Sequence, residues 1–276
     1  MGRIVSPSDF ELAGWIRPGD GVNWGQAAAE PQTLVEALVA QRAEFSGARP
    51  FMGISYSGIV RPEHADHLRL SSYCGAGHNR ALADAGVLDI CPYPYSQLAG
   101  LIREGRIRAD VVLVQVSPPN ARGEYSLGLA AEYLVPALQT ARTVLAEIND
   151  QVPWTCCDHV LRAEDISLEV HTSRLPACGL RAEARETERS IAAHAAQYVA
   201  DGATLEFGLG ALPEAVLDAL GDRRDLGVHS GALGDSIVEL MRRGVINNAR
   251  KPIDTGRTVG GDRKSTRLNS SHGIIS

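Results

Sequence analysis

Val111-Val112-Leu113-Val114-Gln115-Val116, closed by Ser117-Pro118-Pro119, is the stretch on which the fold turns. A short, continuous apolar run suits a strand buried on both faces, as in a parallel sheet covered by helices. On its amino-terminal side, Pro31 to Arg42 starts with proline and places Leu34, Ala37, Leu38 and Gln41 at helical spacing. Phe51 to Tyr56 then reads as a strand. On its carboxyl side, Leu129 to Leu138 reads as a helix and Thr143 to Ile148 as another strand.

A second block begins near Glu183. Thr187 to Ala200 is expected to be a helix with Thr187 as its cap and Ile191, Ala195 and Tyr198 on one face. Asp201-Gly202 breaks it. Ala203 to Phe207 is a short strand, Gly208-Leu209-Gly210 a turn, Leu212 to Leu220 a helix, Leu226 to His229 a strand, and Asp235 to Arg243 a helix. Alternating elements of this kind predict an α/β fold of two domains with mostly parallel sheets flanked by helices. Ser173 to Glu183, with Pro176 and Gly179, is the expected boundary. Residues 1–180 are expected to form the first domain and 181–261 the second.

The 276 residues suffice for one large or two ordinary domains. Apolar residues at 44% and charged residues at 22% exclude a disordered chain or a fibre. A net charge of −6 argues against a general attraction for nucleic acid or anionic membrane, so an anionic ligand needs a local site. No apolar run approaches the ~18 residues that span a bilayer, and the first residues lack the apolar core of a secretion signal. Five cysteines, an odd number, do not make a disulfide framework. A cytoplasmic location is expected.

The tail differs from the rest. Lys251 and Lys264 are the only lysines among 27 basic residues, and Asp262 to Ser276 (DRKSTRLNSSHGIIS) is serine-rich without apolar periodicity. Asp262 to His272 matches the conceptual translation of a common short-read sequencing adapter. Residues 262–276 are therefore set apart as artefactual, and the natural protein is expected to continue past Gly261.

Several segments carry candidate chemistry. Gly208-Leu209-Gly210-Ala211-Leu212-Pro213 follows a strand and opens a helix, where glycines admit a ligand to the backbone and free N–H groups meet an anion. Pro213 stands where a dinucleotide fingerprint has its third glycine, and an ordinary βα turn reads the same way. Val116 to Gly128 (VSPPNARGEYSLG) sits at the carboxyl end of a strand, where α/β folds place ligands, although a rigid connecting loop accounts for it equally. Gly53-Ile54-Ser55-Tyr56-Ser57 departs from a nucleophile elbow because Ser57 replaces the second glycine. Adjacent Cys156 and Cys157 lack metal-ligand spacing and read as buried structural thiols, with no metal expected. Cys74 and His78 flank a glycine-rich turn, and nothing in the sequence brings them face to face.

Together these blocks resemble the acetyl-CoA hydrolase/transferase family, which includes acetate and 4-hydroxybutyrate CoA-transferases. The resemblance rests on Val116 to Gly128, Ala146 to Pro153 (AEINDQVP), Asp201 to Leu220 and Leu226 to Lys251, and covers about Gly21 to Gly260. It implies a CoA-transferase moving CoA between an acyl-CoA and a small carboxylate such as acetate, through a glutamyl-CoA thioester. Coenzyme A would then be a substrate and not a resident cofactor. The full-length protein would be a homodimer, with neither nucleic acid nor membrane as a partner. Gly208, Leu209, Gly210, Ala211 and Leu212 would lie against CoA, their backbone N–H groups facing developing oxyanions.

The pattern breaks at one place. The family's nucleophilic glutamate follows a His-Ser/Thr pair, but this chain reads His229-Ser230-Gly231, with Asp235 matching the family acid four residues on. Glycine cannot form a thioester. Glu206, where the family often has Gln, is the candidate catalytic carboxylate: it would attack the thioester or activate water, unless it alternates outward into solvent. An acyl-CoA hydrolase and a non-catalytic acyl-CoA-binding homologue are the alternatives.

Overall fold

Alternate side chains of the Val111–Val116 run enter two different cores. Val111 and Leu113 pack with Trp24, Leu34, Leu38 and Leu145 on one face, while Val112, Val114 and Val116 pack with Leu101, Leu134 and Ile148 on the other. All six side chains are buried, the five apolar ones as a strand covered on both faces requires and Gln115 with its amide hydrogen-bonded within the fold. The computed structural model describes residues 3–5, 10–179, 183–263 and 274–275.

In chain order the strands of the first domain are β1 (Arg3–Val5), β2 (Gly21–Trp24), β3 (Arg49–Met52), β4 (Leu70–Ser72), β5 (Leu88–Ile90), β6 (Val111–Val116), β7 (Glu124–Ser126), β8 (Thr143–Asn149), β9 (Val160–Arg162) and β10 (Leu168–Thr172). Its helices are α1 (Gln32–Ala40), α2 (Asn79–Asp84), α3 (Leu98–Arg103) and α4 (Leu134–Thr140). Eight strands form one sheet in the order β1-β10-β8-β6-β2-β3-β4-β5, every pair parallel. The β7–β9 pair forms a separate antiparallel ribbon.

The second domain holds α5 (Glu186–Ala196), β11 (Thr204–Leu205), α6 (Ala211–Asp218), β12 (Gly227–Leu233), α7 (Asp235–Arg242), β13 (Thr258–Arg263) and β14 (Ile274–Ile275). Its strands make a second parallel sheet in chain order. Leu217, Leu226, Val228, Leu233, Ile237 and Leu240 fill its own core. Of the tail set apart in the sequence, 264–273 and 276 lie outside the described residues.

Four expectations about local structure are corrected. The helix read from Leu129 starts only at Leu134, because Glu132 holds a left-handed backbone (φ +38°) that no right-handed helix contains. The strand read over Phe51 to Tyr56 ends at Met52; beyond it, the Ile54 N–H donates to the side chain of Gln26 (3.3 Å) instead of to a neighbouring strand. In α5 the buried residues are Ala192 and Ala196, whereas Ile191 and Tyr198 are exposed. The amino end of α5 is fixed by Glu188, which accepts from the Arg185 N–H (3.0 Å), and Thr187 lies inside the helix. Small alanines allow α5 to sit close to α6, a face that hydropathy alone ranks below Ile and Tyr.

Candidate active site at the seam of two sheets

The most distinctive sequence blocks of the first domain prove to be structural joints. In AEINDQVP, Glu147 is fully buried and caps α1: its carboxylate accepts from the Thr33 N–H (2.8 Å), the Leu34 N–H (3.4 Å) and the hydroxyls of Thr33 (3.0 Å) and Thr172 (3.2 Å). Asn149 donates to Gln115 Oε1 (2.9 Å) and to the Arg174 carbonyl (2.6 Å), and Gln115 donates to the Ala28 carbonyl (3.0 Å). In the Ser-Pro-Pro block, Ser126 and Thr155 exchange bonds that pin the β7–β9 ribbon. These polar groups are satisfied by the chain itself.

The Gly-Leu-Gly turn is placed differently. Leu209 and Gly210 line a cavity of about 430 Å³ with Ser55, Tyr56, Gly77, His78, Cys178 and Gly179, so the second domain's turn faces loops of the first across it. A volume of this order is that of a small-ligand site. Gly210 has φ +130° and ψ 177°, a conformation for glycine, and delivers the chain into α6 with its first N–H groups free. Ser55 is buried, its hydroxyl donating to Glu30 Oε2 (3.2 Å), and the same carboxylate accepts from the Ser57 N–H (3.2 Å), the Ser57 hydroxyl and the Tyr56 backbone. Burial pushes the Glu30 carboxyl up to about 6, against the pull of those hydrogen bonds. His78 meets Ser55 through its backbone N–H, which donates to the Ser55 carbonyl (3.1 Å), the Ser55 hydroxyl is turned to Glu30, and no helix follows Ser55 as a nucleophile elbow requires.

A second polar cluster stands beside the first. Gln26 donates to Glu132 Oε2 (2.6 Å) and accepts from the Tyr73 hydroxyl (2.6 Å), while Tyr95 hydrogen-bonds the same Glu132 carboxylate. Gly53 makes this arrangement fit, since a β-carbon there would lie 2.3 Å from Gln26 Oε1. Burial raises the Glu132 carboxyl well above the usual carboxylate range, with the Tyr95 and Gln26 hydrogen bonds opposing it.

Glu132 reaches the second domain. A β-carbon built on Gly261 of β13 would stand 3.2 Å from the Gly231 carbonyl oxygen and 3.4 Å from Glu132 Oε1. Ser230 ties β12 to the end of β11, donating to the Phe207 carbonyl (2.9 Å) and accepting from its N–H (3.2 Å). A β-carbon built on Gly231 would meet nothing within 4 Å. The position that the resemblance assigns to a nucleophile is thus open space beside a half-buried carboxylate.

Glu206 is solvent-exposed. Its neighbours Leu205 and Phe207 pack against the second core, so alternation along the extended chain turns Glu206 to the other face. Gly208 is exposed, and Ala211 and Leu212 form the first turn of α6. The thiols differ from expectation: Cys156 is exposed, and Cys157 is only half-buried, packed at the margin of the core that holds Val112 and Leu134, because 153–159 is largely irregular chain. Among the described residues no group of three His, Cys, Asp or Glu side chains is arranged to hold a metal. Gln26, Glu30, Tyr73, Tyr95 and Glu132 escape a reading by motif, since they meet only through the fold. The one local signal was an acidic residue within the apolar stretch Leu129 to Leu138.

The acetyl-CoA hydrolase/transferase N-terminal domain matches residues 3–213. The 4-hydroxybutyrate coenzyme A transferase of Clostridium kluyveri is 32% identical over 241 residues, covering 86% of this chain and 56% of that protein. A succinyl-CoA:acetate/propanoyl-CoA:succinate CoA transferase of Fasciola hepatica is 32% identical over 257 residues, covering 90% of this chain and 53% of the relative. The chain therefore spans little more than half the length of these relatives. The crystal structure of RipA from Yersinia pestis superimposes with a TM-score of 0.92 at 28% identity, over 99% of this chain and 67% of that one. A 4-hydroxybutyrate CoA-transferase from Porphyromonas gingivalis gives 0.83 at 25% identity, over 99% of this chain and 67% of that structure.

Proposed function

We propose that this chain, which belongs to the acetyl-CoA hydrolase/transferase family, is part of an enzyme that moves CoA between an acyl-CoA and a small carboxylate such as acetate. The observation that carries this is the cavity between the two domains, with the Gly-Leu-Gly turn on one wall and the Ser55–Tyr56 and Gly77–His78 loops on the other. A thioester lying there would have its oxygen near the free backbone N–H groups at the start of α6. Donors fixed in place before the reaction stabilise the charge that develops on a thioester oxygen. The relatives are CoA transferases by name and differ in the acids they act on, which agrees with a shared CoA site and a variable acyl site.

Hydrolysis is the second reading, favoured by the absence of a side chain at Gly231. In that case Glu206 is the carboxylate the sequence offers for activating water.

Titration calorimetry of the full-length protein with CoA and acetyl-CoA tests the site. Binding is expected for both. Gly210→Ala forces an alanine to φ +130°, a strain of about 1–3 kcal/mol, so affinity should fall about tenfold or more. Wild-type protein that gives no heat with either ligand would end the proposal.

A further inference from the structure

The geometry points to Glu132 as the carboxylate nucleophile of this enzyme, taking from the first domain the role that Gly231 cannot fill in the second. This inference rests on the CoA-transfer reading above and adds the residue that would carry it.

Four observations converge on Glu132. It is a half-buried acidic side chain at the edge of an apolar stretch, and ordinary stability gives no reason to keep it there. Its backbone is left-handed at φ +38°, as is that of Ala27 at φ +53° next to its partner Gln26, so two strained non-glycine residues meet at one spot. Gln26 and Tyr95 hold the carboxylate, and a second tyrosine, Tyr73, holds Gln26 in turn. Finally, its Oε1 points at Gly261, whose would-be β-carbon also touches the Gly231 carbonyl, while the space above Gly231 is empty. A thioester would reach this oxygen through the open space at Gly231, which a side chain there would fill.

The step balances without any further reactant. A Glu132 oxygen adds to the thioester carbonyl carbon, the C–S bond breaks, and CoA leaves as thiolate, giving a mixed anhydride. The thiolate then attacks the glutamyl carbonyl, the C–O bond breaks, and the acid leaves as its carboxylate. An incoming carboxylate reverses the sequence on the glutamyl-CoA thioester, and Glu132 is recovered intact. A carboxylate kept basic by burial is the stronger nucleophile of its kind, and the amide of Gln26 and the hydroxyl of Tyr95 keep it oriented. Tyr73, Tyr133 and Glu30 are the other titratable side chains packed around this cluster.

The test begins with the wild-type full-length protein, incubated with acetyl-CoA and treated with borohydride, which reduces a glutamyl-CoA thioester to an alcohol. Peptide mass spectrometry should find the reduced residue at position 132. Glu132→Gln should abolish the label and lower CoA transfer to acetate by about 1000-fold or more, with CoA affinity by calorimetry within threefold of wild type. A label at Glu206, or transfer without any glutamyl label, would overturn the inference while leaving the CoA-transfer reading intact. So would a Glu132→Gln protein that turns over normally. Wild-type protein that binds no CoA would remove both. The label on unaltered protein decides the matter even if the variant folds poorly.

Discussion

β6 and β12 are each an interior strand of a parallel sheet, but they end differently. Every side chain of β6 is buried, and the polar groups around its carboxyl end, Gln115, Glu147 and Asn149, find their partners within the first domain. β12 leaves Gly231 exposed, with the Glu132 carboxylate close to the paired Gly261. Both ends are polar, and only the second is open. Polar residues at a strand end are therefore not enough to mark a reactive site. The useful distinction is whether the chain has already saturated their hydrogen bonds.

The contrast can be broken most forcefully from the closed side. Leu113→Ala, in the middle of β6, removes a side chain buried against both α1 and the neighbouring strands, and should cost about 2–5 kcal/mol in urea denaturation. A loss under about 1 kcal/mol would mean that this core is not packed as described.

Glycines sharpen the comparison on the open side. A β-carbon on Gly260 would stand 2.5 Å from Leu233 Cγ, so Gly260→Ala should lower stability by about 1–3 kcal/mol. Gly231→Ala, one strand over, meets only open space and should stay within about 0.5 kcal/mol of wild type. Equal melting shifts for the two variants would contradict the open position at 231.

An effect spread over pH concerns Glu30, the carboxyl behind Ser55. Its folded value of about 6 lies above the 4.5 of an unfolded glutamate, so the folded state holds this proton more tightly. The stability this confers is present below pH 4.5 and is lost as pH rises through about 6. Glu30→Gln does not titrate, so its stability relative to wild type should improve between pH 4.5 and 7.5, by at most about 2 kcal/mol. A difference that stays flat with pH in denaturant titrations would show that Glu30 is not held protonated by burial.

Much of this was legible in advance. Val111–Val116 announced a two-sided strand because five of its six side chains are apolar, and Gly208-Leu209-Gly210 announced a turn into a helix that the structure places on a cavity wall. The α5 face was misjudged because Ala192 and Ala196 are chosen for close approach and not for hydrophobicity. The helix start at Leu129 was misjudged because one left-handed residue, Glu132, is invisible to periodicity.

The sequence by itself determined the parallel α/β architecture, the two blocks and the missing side chain at Gly231, since apolar period, turn residues and residue identity are properties of neighbours along the chain. Only the tertiary structure decided that Gln26, Tyr95 and Glu132 form one cluster and that it faces β13, because these residues come from separate segments whose approach is set by packing between the sheets. A carboxylate's reactivity depends on the water and partners that packing leaves to it, and no local pattern in the chain encodes that.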